Sequence, residues 1–446
     1  MANLYYHIEV WGCQMNEHDA EVLGGILEQI GYQKTENIEK ADLIILYTCC
    51  VREKAEQKVF ARLGNLKKYK YQNPNMLIAV GGCMAQQPEM GTLIKRRAPH
   101  IDIVFGTHNI HRLPELLKEA VDSGTTLIEV WDKEQGIIEN LPSKRADQLK
   151  AYVTIMYGCN NFCSYCIVPY VRGRERSREP QEIIKEIKDL AEQGFKEVIL
   201  LGQNVNSYGK DLKEAIDFAD LLMEIDKLSG LERIRYMTSH PRDFTAKLVT
   251  TIKNSLKVCE HFHLPIQAGS NEILKRMHRG YTKEKYLELV SKIRQQIPQA
   301  VITTDIIVGF PGETEEDFNE TLDVIRKARF DQAYTFIYSP RKGTPAADLP
   351  NQISSEVKKE RFQRLLDLQN EISWEINQQM LGKIENVLVE GTSKTDSSKL
   401  SGRTRGNKIV IMEGREDFIG KIVDVEITEA QTWSLLGKIV SFKGNI

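Results

Sequence analysis

The chain has 446 residues, of which 41% are hydrophobic and 27% charged, and a formal net charge of −2. That is the profile of a soluble globular protein long enough to bury two or three separate cores. No apolar run approaches the ~20 residues needed to cross a bilayer. The opening MANLYYHIEVWGC lacks the basic start, apolar centre and small-residue cleavage site of an export signal, so a cytoplasmic location is expected. Near-neutral charge neither indicates nor excludes nucleic acid, which needs a local basic surface rather than a basic total.

In chain order, short apolar runs first alternate with amphipathic stretches. Strands are expected at YYHIEVWGC, ADLIILYTC, NMLIAVGGC and IDIVFGT, with helices over HDAEVLGGILEQIGY and VREKAEQKVFARLGNLKKYK. Near-continuous apolar strands alternating with helices indicate an open, mostly parallel α/β sheet of the Rossmann or flavodoxin kind. The polar stretch ENLPSKRADQLK, residues 139–150, reads as a linker. Six more strands follow, AYVTIMYGC, EVILLGQNV, RIRYMTS, HFHLPIQAG, ITTDIIVGF and AYTFIYSP, with helical segments between most of them. Such a series suggests an incomplete (β/α)6 barrel, closed by the amphipathic stretch from Glu356 to Met380. From Gly382 the pattern changes to ENVLVEG, KIVIME, GKIVDVEITEA and SLLGKIVSF, separated by glycines and polar turns. That pattern predicts a small antiparallel β-barrel. The expected units are therefore 1–140, 145–377 and 378–446.

The eight cysteines carry the chemistry. In a long chain without an export signal they are read as metal ligands, reactive groups or core residues rather than disulfides. Cys159, Cys163 and Cys166 form a CxxxCxxC. Three thiolates on one short loop suit three corners of a 4Fe–4S cube and leave one iron open, whereas electron carriers normally use four. A zinc site would need a fourth ligand, and no histidine or cysteine follows nearby. Cys13, Cys49 and Cys83 are dispersed, but each ends a predicted strand, in WGC, YTC and GGC. Loops at the carboxyl ends of such strands converge, so these three are expected to meet as a second thiolate site, although Cys is also a common core residue. Cys50 and Cys259 fit neither set and are read as core. His261, His263 and His278 have no metal-site spacing and are read as structural.

The CNNFCSYC loop and the three strand-end cysteines resemble the methylthiotransferase family of radical S-adenosylmethionine enzymes, and the resemblance covers essentially the whole chain. Gly12-Cys13-Gln14-Met15-Asn16-Glu17, Val51-Arg52-Glu53-Lys54-Ala55-Glu56 and the run from Cys166 to Arg178 resemble the branch that acts on tRNA carrying isopentenylated adenosine. Tyr47 departs from the family, which usually has Asn before Thr-Cys. The resemblance implies an N-terminal methylthiotransferase domain, a radical core and a C-terminal TRAM-type RNA-binding barrel. It also implies two 4Fe–4S clusters, S-adenosylmethionine, tRNA as substrate and methylthiolation at C2 of adenine 37 in the anticodon loop. An electron donor such as flavodoxin or ferredoxin and a monomeric enzyme are expected with it. Alternatives are methylthiolation of threonylcarbamoyl-adenosine tRNA or of a ribosomal-protein side chain, and, in another class, an iron–sulfur RNA-binding or electron-transfer protein.

Contacts to S-adenosylmethionine are expected from Tyr165 in the cluster loop and from residues ending barrel strands: Gln203, Asn204, Ser239, Gln267 and the turn from Val308 to Glu313. Phosphate contacts are expected from Arg172, Arg174, Arg176 and Arg178, beside that loop. In the final unit Lys394, Lys399, Arg403, Arg405 and Lys408 oppose only Asp396, which suits an RNA platform.

Overall fold

The computed structural model of the protein describes residues 3–50, 53–133 and 136–442. Its first part is a six-stranded parallel sheet of β1 (Leu4–Val10), β2 (Tyr32–Lys34), β3 (Leu43–Thr48), β4 (Leu77–Gly82), β5 (Ile103–Phe105) and β6 (Leu127–Glu129). The spatial order is β2-β1-β3-β4-β5-β6, the flavodoxin-like arrangement. Every residue of β3 and β4 is buried, because successive side chains point to opposite faces and helices cover both. Ile44 and Leu46 pack on one face against Val59, Leu63 and Ile94 of α2 (Glu53–Gln72) and α3 (Met90–Arg97). Leu43, Ile45 and Tyr47 face α1 (Gln14–Gln29) and α4 (Leu113–Ser123) through Leu23, Leu27 and Leu116. The edge strands β2 and β6, three residues each, carry too little alternation to be read from sequence. Val51 and Arg52 of the predicted second helix lie outside the described residues.

The stretch expected as a linker is a strap. Lys144 N donates to Glu21 O at 2.8 Å, and Arg145 pairs with Glu21 at 3.0 Å and Glu186 at 2.7 Å. It thereby ties α1 to α6 (Pro180–Glu192) in the next unit.

That unit comprises β7 (Lys150–Thr154), the short hairpin of β8 (Met156–Tyr157) and β9 (Arg176–Ser177), β10 (Glu197–Leu201), β11 (Arg233–Tyr236), β12 (His261–His263), β13 (Val301–Val308) and β14 (Gln332–Ile337). The parallel sets β7-β10-β11 and β12-β13-β14 are joined by a bridge between Ile234 and Val258. Six parallel strands thus run side by side in chain order, as the sequence predicts. Outside them lie α7 (Phe218–Asp226), α8 (Ala246–Asn254), α9 (Asn271–Arg276), α10 (Lys283–Gln296) and α11 (Glu315–Ala328), and α12 (Ser355–Gln378) follows β14. The one-turn helix α5 (Val168–Val171) precedes α6. Thr245, Ser270, Thr282, Thr314 and Ser354 each cap a helix through their hydroxyls, satisfying amides that have no partner in the first turn.

The last unit is a closed five-stranded barrel, β15 (Ile384–Thr392), β16 (Leu400–Thr404), β17 (Ile409–Glu413), β18 (Ile422–Ala430) and β19 (Leu435–Phe442). Its pairs are antiparallel except β17–β19. β16, LSGRT, lies in a stretch read from sequence as a polar turn between strands.

This barrel seats on the amino ends of the (β/α) strands. Lys150, first in β7, pairs with Glu390 at 3.2 Å, and Arg233, first in β11, donates to Arg403 O at 2.8 Å and Asn386 O at 2.8 Å. Asp331, just before β14, pairs with Lys408 at 2.8 Å. Arg235 and Glu197 form a buried pair at 2.8 Å, and the same guanidinium donates to Thr404 O and Arg405 O, each at 2.8 Å. Arg235→Ala would leave Glu197 charged and alone in the interior, an expected cost of about 3–5 kcal/mol. A lowered denaturation midpoint checks this; an unchanged midpoint would contradict it. Among the described residues no helix is long and apolar enough to cross a membrane.

Candidate active site

Neighbouring parallel strands bring dispersed cysteines together. Cys49 and Cys83 directly follow β3 and β4, and Cys13 caps α1 just past β1. All three lie at the carboxyl end of the sheet, Cys13 exposed and Cys49 and Cys83 buried, where strand order reverses between β1 and β3 and ligands bind in such folds. Gly12 is required here: its φ is +139°, and a Cβ there would lie 2.7 Å from Cβ of Cys49 and 3.2 Å from its sulfur.

The polar support of this site is dense. Asn16 Nδ2 donates to Trp11 O at 2.9 Å and Thr48 O at 3.1 Å, fixing the loops that carry Cys13 and Cys49. Arg172 reaches in from the end of α5: its Nε donates to Sγ of Cys83 at 3.3 Å, and Nη2 lies 2.8 Å from Asn16 Oδ1 and 2.7 Å from Asp19 Oδ2. Tyr47 Oη donates to the same Asp19 oxygen at 2.9 Å, so the residue that departs from the family has a buried polar task. A hydrogen bond with Cys50, followed by the charge of Arg172, holds the Cys83 thiol at about 6 against the effect of burial. Cys50 is therefore a buried neighbour of the site rather than distant core.

The second set sits on the loop after β8. Cys159 N donates to Gly173 O at 3.1 Å, Ser164 Oγ to Arg276 O at 2.8 Å and Cys166 N to Cys163 O at 2.9 Å. Asn161 Nδ2 donates to Sγ of Cys159 and Arg279 Nη1 to Sγ of Cys163, both at 3.3 Å. Arg279, 4% exposed, is otherwise held by Pro265 O and Tyr281 Oη. Burial pushes Cys159 up to about 11 and Cys166 to about 12, so a thiolate at either position calls for a strong positive charge beside it. Among the described residues no three His, Cys, Asp or Glu side chains gather tightly enough for one metal ion; a cube with iron at separate corners asks for wider spacing. Three thiols on one loop, three on adjacent strand ends and N–H donors aimed at their sulfurs fit two iron–sulfur clusters.

Beside this loop the carboxyl ends of the strands supply buried polar atoms. Gln203 Oε1 and Ser239 Oγ have no hydrogen-bond partner among the described residues. Thr238 and Gln267 adopt φ of +67° and +74°, conformations unusual for non-glycine residues that cluster at ligand sites. Val308 leads into a turn in which Glu313 Oε1 accepts from Gly309 N at 3.0 Å and pairs with Arg361 at 2.9 Å; burial raises Glu313 to about 7. Tyr165 packs partly buried against Phe310 and Tyr338.

Several expected contacts need correction. Arg172 and Arg178 are buried, the latter paired with Glu139 and Glu186 at 2.7 Å each, so neither faces a phosphate; Arg174 is exposed and Arg176 half-buried. Asn204 is buried, its side-chain amide donating to Asp243 at 3.0 Å and its oxygen accepting the amide of His240 at 3.1 Å. Arg405 is spent on Glu260 at 2.8 Å and Val258 O at 2.7 Å, and Lys408 on Asp331, both at the end of the (β/α) strands opposite the cysteines. Lys394 is exposed, and Arg403 lies on β16 with Glu390 at 3.5 Å. His261 Nε2 and His263 Nδ1 share Thr303 Oγ1 at 3.0 Å each, a structural arrangement. Arg279, Asp19 and the supporting role of Asn16 were not legible from sequence; only Asn16 stood in a quoted motif.

Comparison with known proteins gives three family matches along the chain: the Radical SAM superfamily over residues 153–325, Uncharacterized protein family UPF0004 over 5–106 and the TRAM domain over 378–440. The tRNA-2-methylthio-N(6)-dimethylallyladenosine synthase of Alkaliphilus oremlandii is 59% identical over 98% of this chain and 93% of its own length. The protein of the same name from Acetivibrio thermocellus is 58% identical over 98% and 91%. Among solved structures, the radical S-adenosylmethionine methyltransferase TsrM from Kitasatospora setae aligns with a TM-score of 0.55 at 14% identity, over 86% of this chain and 78% of that one, a likeness of fold. With three family models along its length and relatives this similar over nearly the whole of it, the chain belongs to the tRNA-2-methylthio-N(6)-dimethylallyladenosine synthase family of radical S-adenosylmethionine enzymes.

Proposed function

We propose that the protein converts N6-isopentenyladenosine at position 37 of tRNA to its 2-methylthio derivative, using S-adenosylmethionine and two 4Fe–4S clusters. The observation that carries this reading is the junction of two three-thiol sites through one segment, Cys159 to Arg172, that supplies ligands to the first and a charged donor to the second. C2 of adenine bears an unactivated C–H bond that no side-chain base or nucleophile attacks easily. Cys159, Cys163 and Cys166 would hold a cluster that would supply the electron for reductive cleavage of S-adenosylmethionine to methionine and a 5′-deoxyadenosyl radical.

The chain's own residues bind, orient and exclude water. Gln203, Ser239, Gln267, Tyr165 and the Val308 turn are the proposed contacts to S-adenosylmethionine. Met15, Ile199 and Leu201 are buried together, with Tyr157 and Met237 partly buried against them, where α1 meets the barrel. This apolar wall protects a reactive radical from competing reactions. Cys13, Cys49 and Cys83 would hold the second cluster, which would supply or present the sulfur. Arg174, Arg176, Lys394 and Arg403 are the proposed tRNA contacts. The three units, 1–140, 145–377 and 378–446, act together as a monomer in the cytoplasm, reduced by a small donor such as a flavodoxin or ferredoxin.

The test is to incubate the reconstituted enzyme with S-adenosylmethionine, a reductant and tRNA bearing isopentenyladenosine, then analyse the nucleosides by mass spectrometry. Isopentenyladenosine gaining one methylthio group is the expected result. Turnover only on threonylcarbamoyl-adenosine tRNA would contradict the reading.

A further inference from the structure

A buried guanidinium is costly unless its arms are paired, and every partner of Arg172 described above belongs to the Cys13/Cys49/Cys83 site. The residue is 5% exposed. Its Nε bonds Sγ of Cys83 at 3.3 Å, while Nη2 holds Asn16 at 2.8 Å and Asp19 at 2.7 Å. Arg172 follows α5, whose last residue, Val171, accepts a hydrogen bond from Thr107 Oγ1 at 2.6 Å. The donor is thus pinned to the sheet independently of its own side-chain contacts.

We propose that Arg172 is a positioning residue that sets the reduction potential of the cluster at Cys13, Cys49 and Cys83, with Asp19 as its built-in opponent. The proposal rests on the two-cluster reading above. A cation and an N–H donor at a ligand sulfur favour the reduced, more negative cluster and raise its potential. A carboxylate beside that cation works the other way. Removing each should therefore move the potential in opposite senses, a signature that a purely structural contact would not produce. Arg279, bonded to Cys163, gives the matching control at the other cluster.

The test uses full-length protein carrying Cys159/Cys163/Cys166→Ala, reconstituted anaerobically so that only the second cluster remains, with its potential followed by electron paramagnetic resonance during a redox titration. Arg172→Gln is expected to shift the potential negative and Asp19→Asn positive, with Arg172→Lys between wild type and Arg172→Gln. In protein with all cysteines intact, Arg279→Gln should move only the other cluster. Unchanged potentials in both Arg172→Gln and Asp19→Asn, or shifts of the same sign, would overturn the proposal. If Arg172→Gln does not retain its iron, Arg172→Lys and Asp19→Asn decide by the same signs. Absence of any iron in the parent triple variant would instead overturn the two-cluster reading itself.

Discussion

Replacing Gly158 by valine is expected to strip the iron held by Cys159, Cys163 and Cys166 and to abolish cleavage of S-adenosylmethionine. Gly158 precedes the first of these cysteines with φ +74°, and a Cβ there would lie 1.9 Å from the carbonyl oxygen of Arg174 and 2.6 Å from that of Gly173. Those atoms are backbone and cannot rotate away. Gly173 O also accepts the amide of Cys159, so moving this strand of loop displaces the ligand directly. Steric overlap and a left-handed conformation together place the cost on the order of 4 kcal/mol. Iron counting and the yield of 5′-deoxyadenosine check the prediction. Full iron and normal cleavage in Gly158→Val would contradict the loop geometry.

Cys166→Ala is the second large effect. Removing one of three ligands leaves one iron of the cube without its thiolate, and cleavage of S-adenosylmethionine should fall to the uncatalysed background. Iron at Cys13, Cys49 and Cys83 should remain, because those thiols hang on different strands with their own support from Asn16. Far-UV circular dichroism should be unchanged, since the loop adds little regular structure. Loss of iron from both sites would show that the two assemble as one unit.

The cysteines were legible because their chemistry depends on residue type and on strand ends, both visible in sequence. The buried strands β3 and β4 were legible because nearly every residue is apolar or small enough to be covered on both sides, and β10 because four apolar residues follow Glu197. β2, β6 and β16 were not: the first two have three residues each, and the serine, glycine and arginine of LSGRT read as a polar turn. The arginine run after Cys166 misled in a specific way. A charge is read as solvated unless its partner is known, and Asp19 and Glu139, the partners of Arg172 and Arg178, are remote in sequence. Arg405 and Lys408 misled likewise, since only the seating of the small barrel on the strand starts reveals Glu260 and Asp331. Tyr47 gained its explanation only once Asp19 was seen beside it.

The central claim is that this chain builds two separate clusters, one for generating the radical and one for the sulfur. It is tested most directly by counting iron and acid-labile sulfide in anaerobically reconstituted wild type and in Cys13/Cys49/Cys83→Ala, with S-adenosylmethionine cleavage measured on the same samples. Loss of about half the iron and sulfide, with cleavage retained and methylthiolation abolished, is the predicted result. Full iron in the triple variant would mean that the strand-end cysteines are core residues, and the sulfur-insertion account would fall.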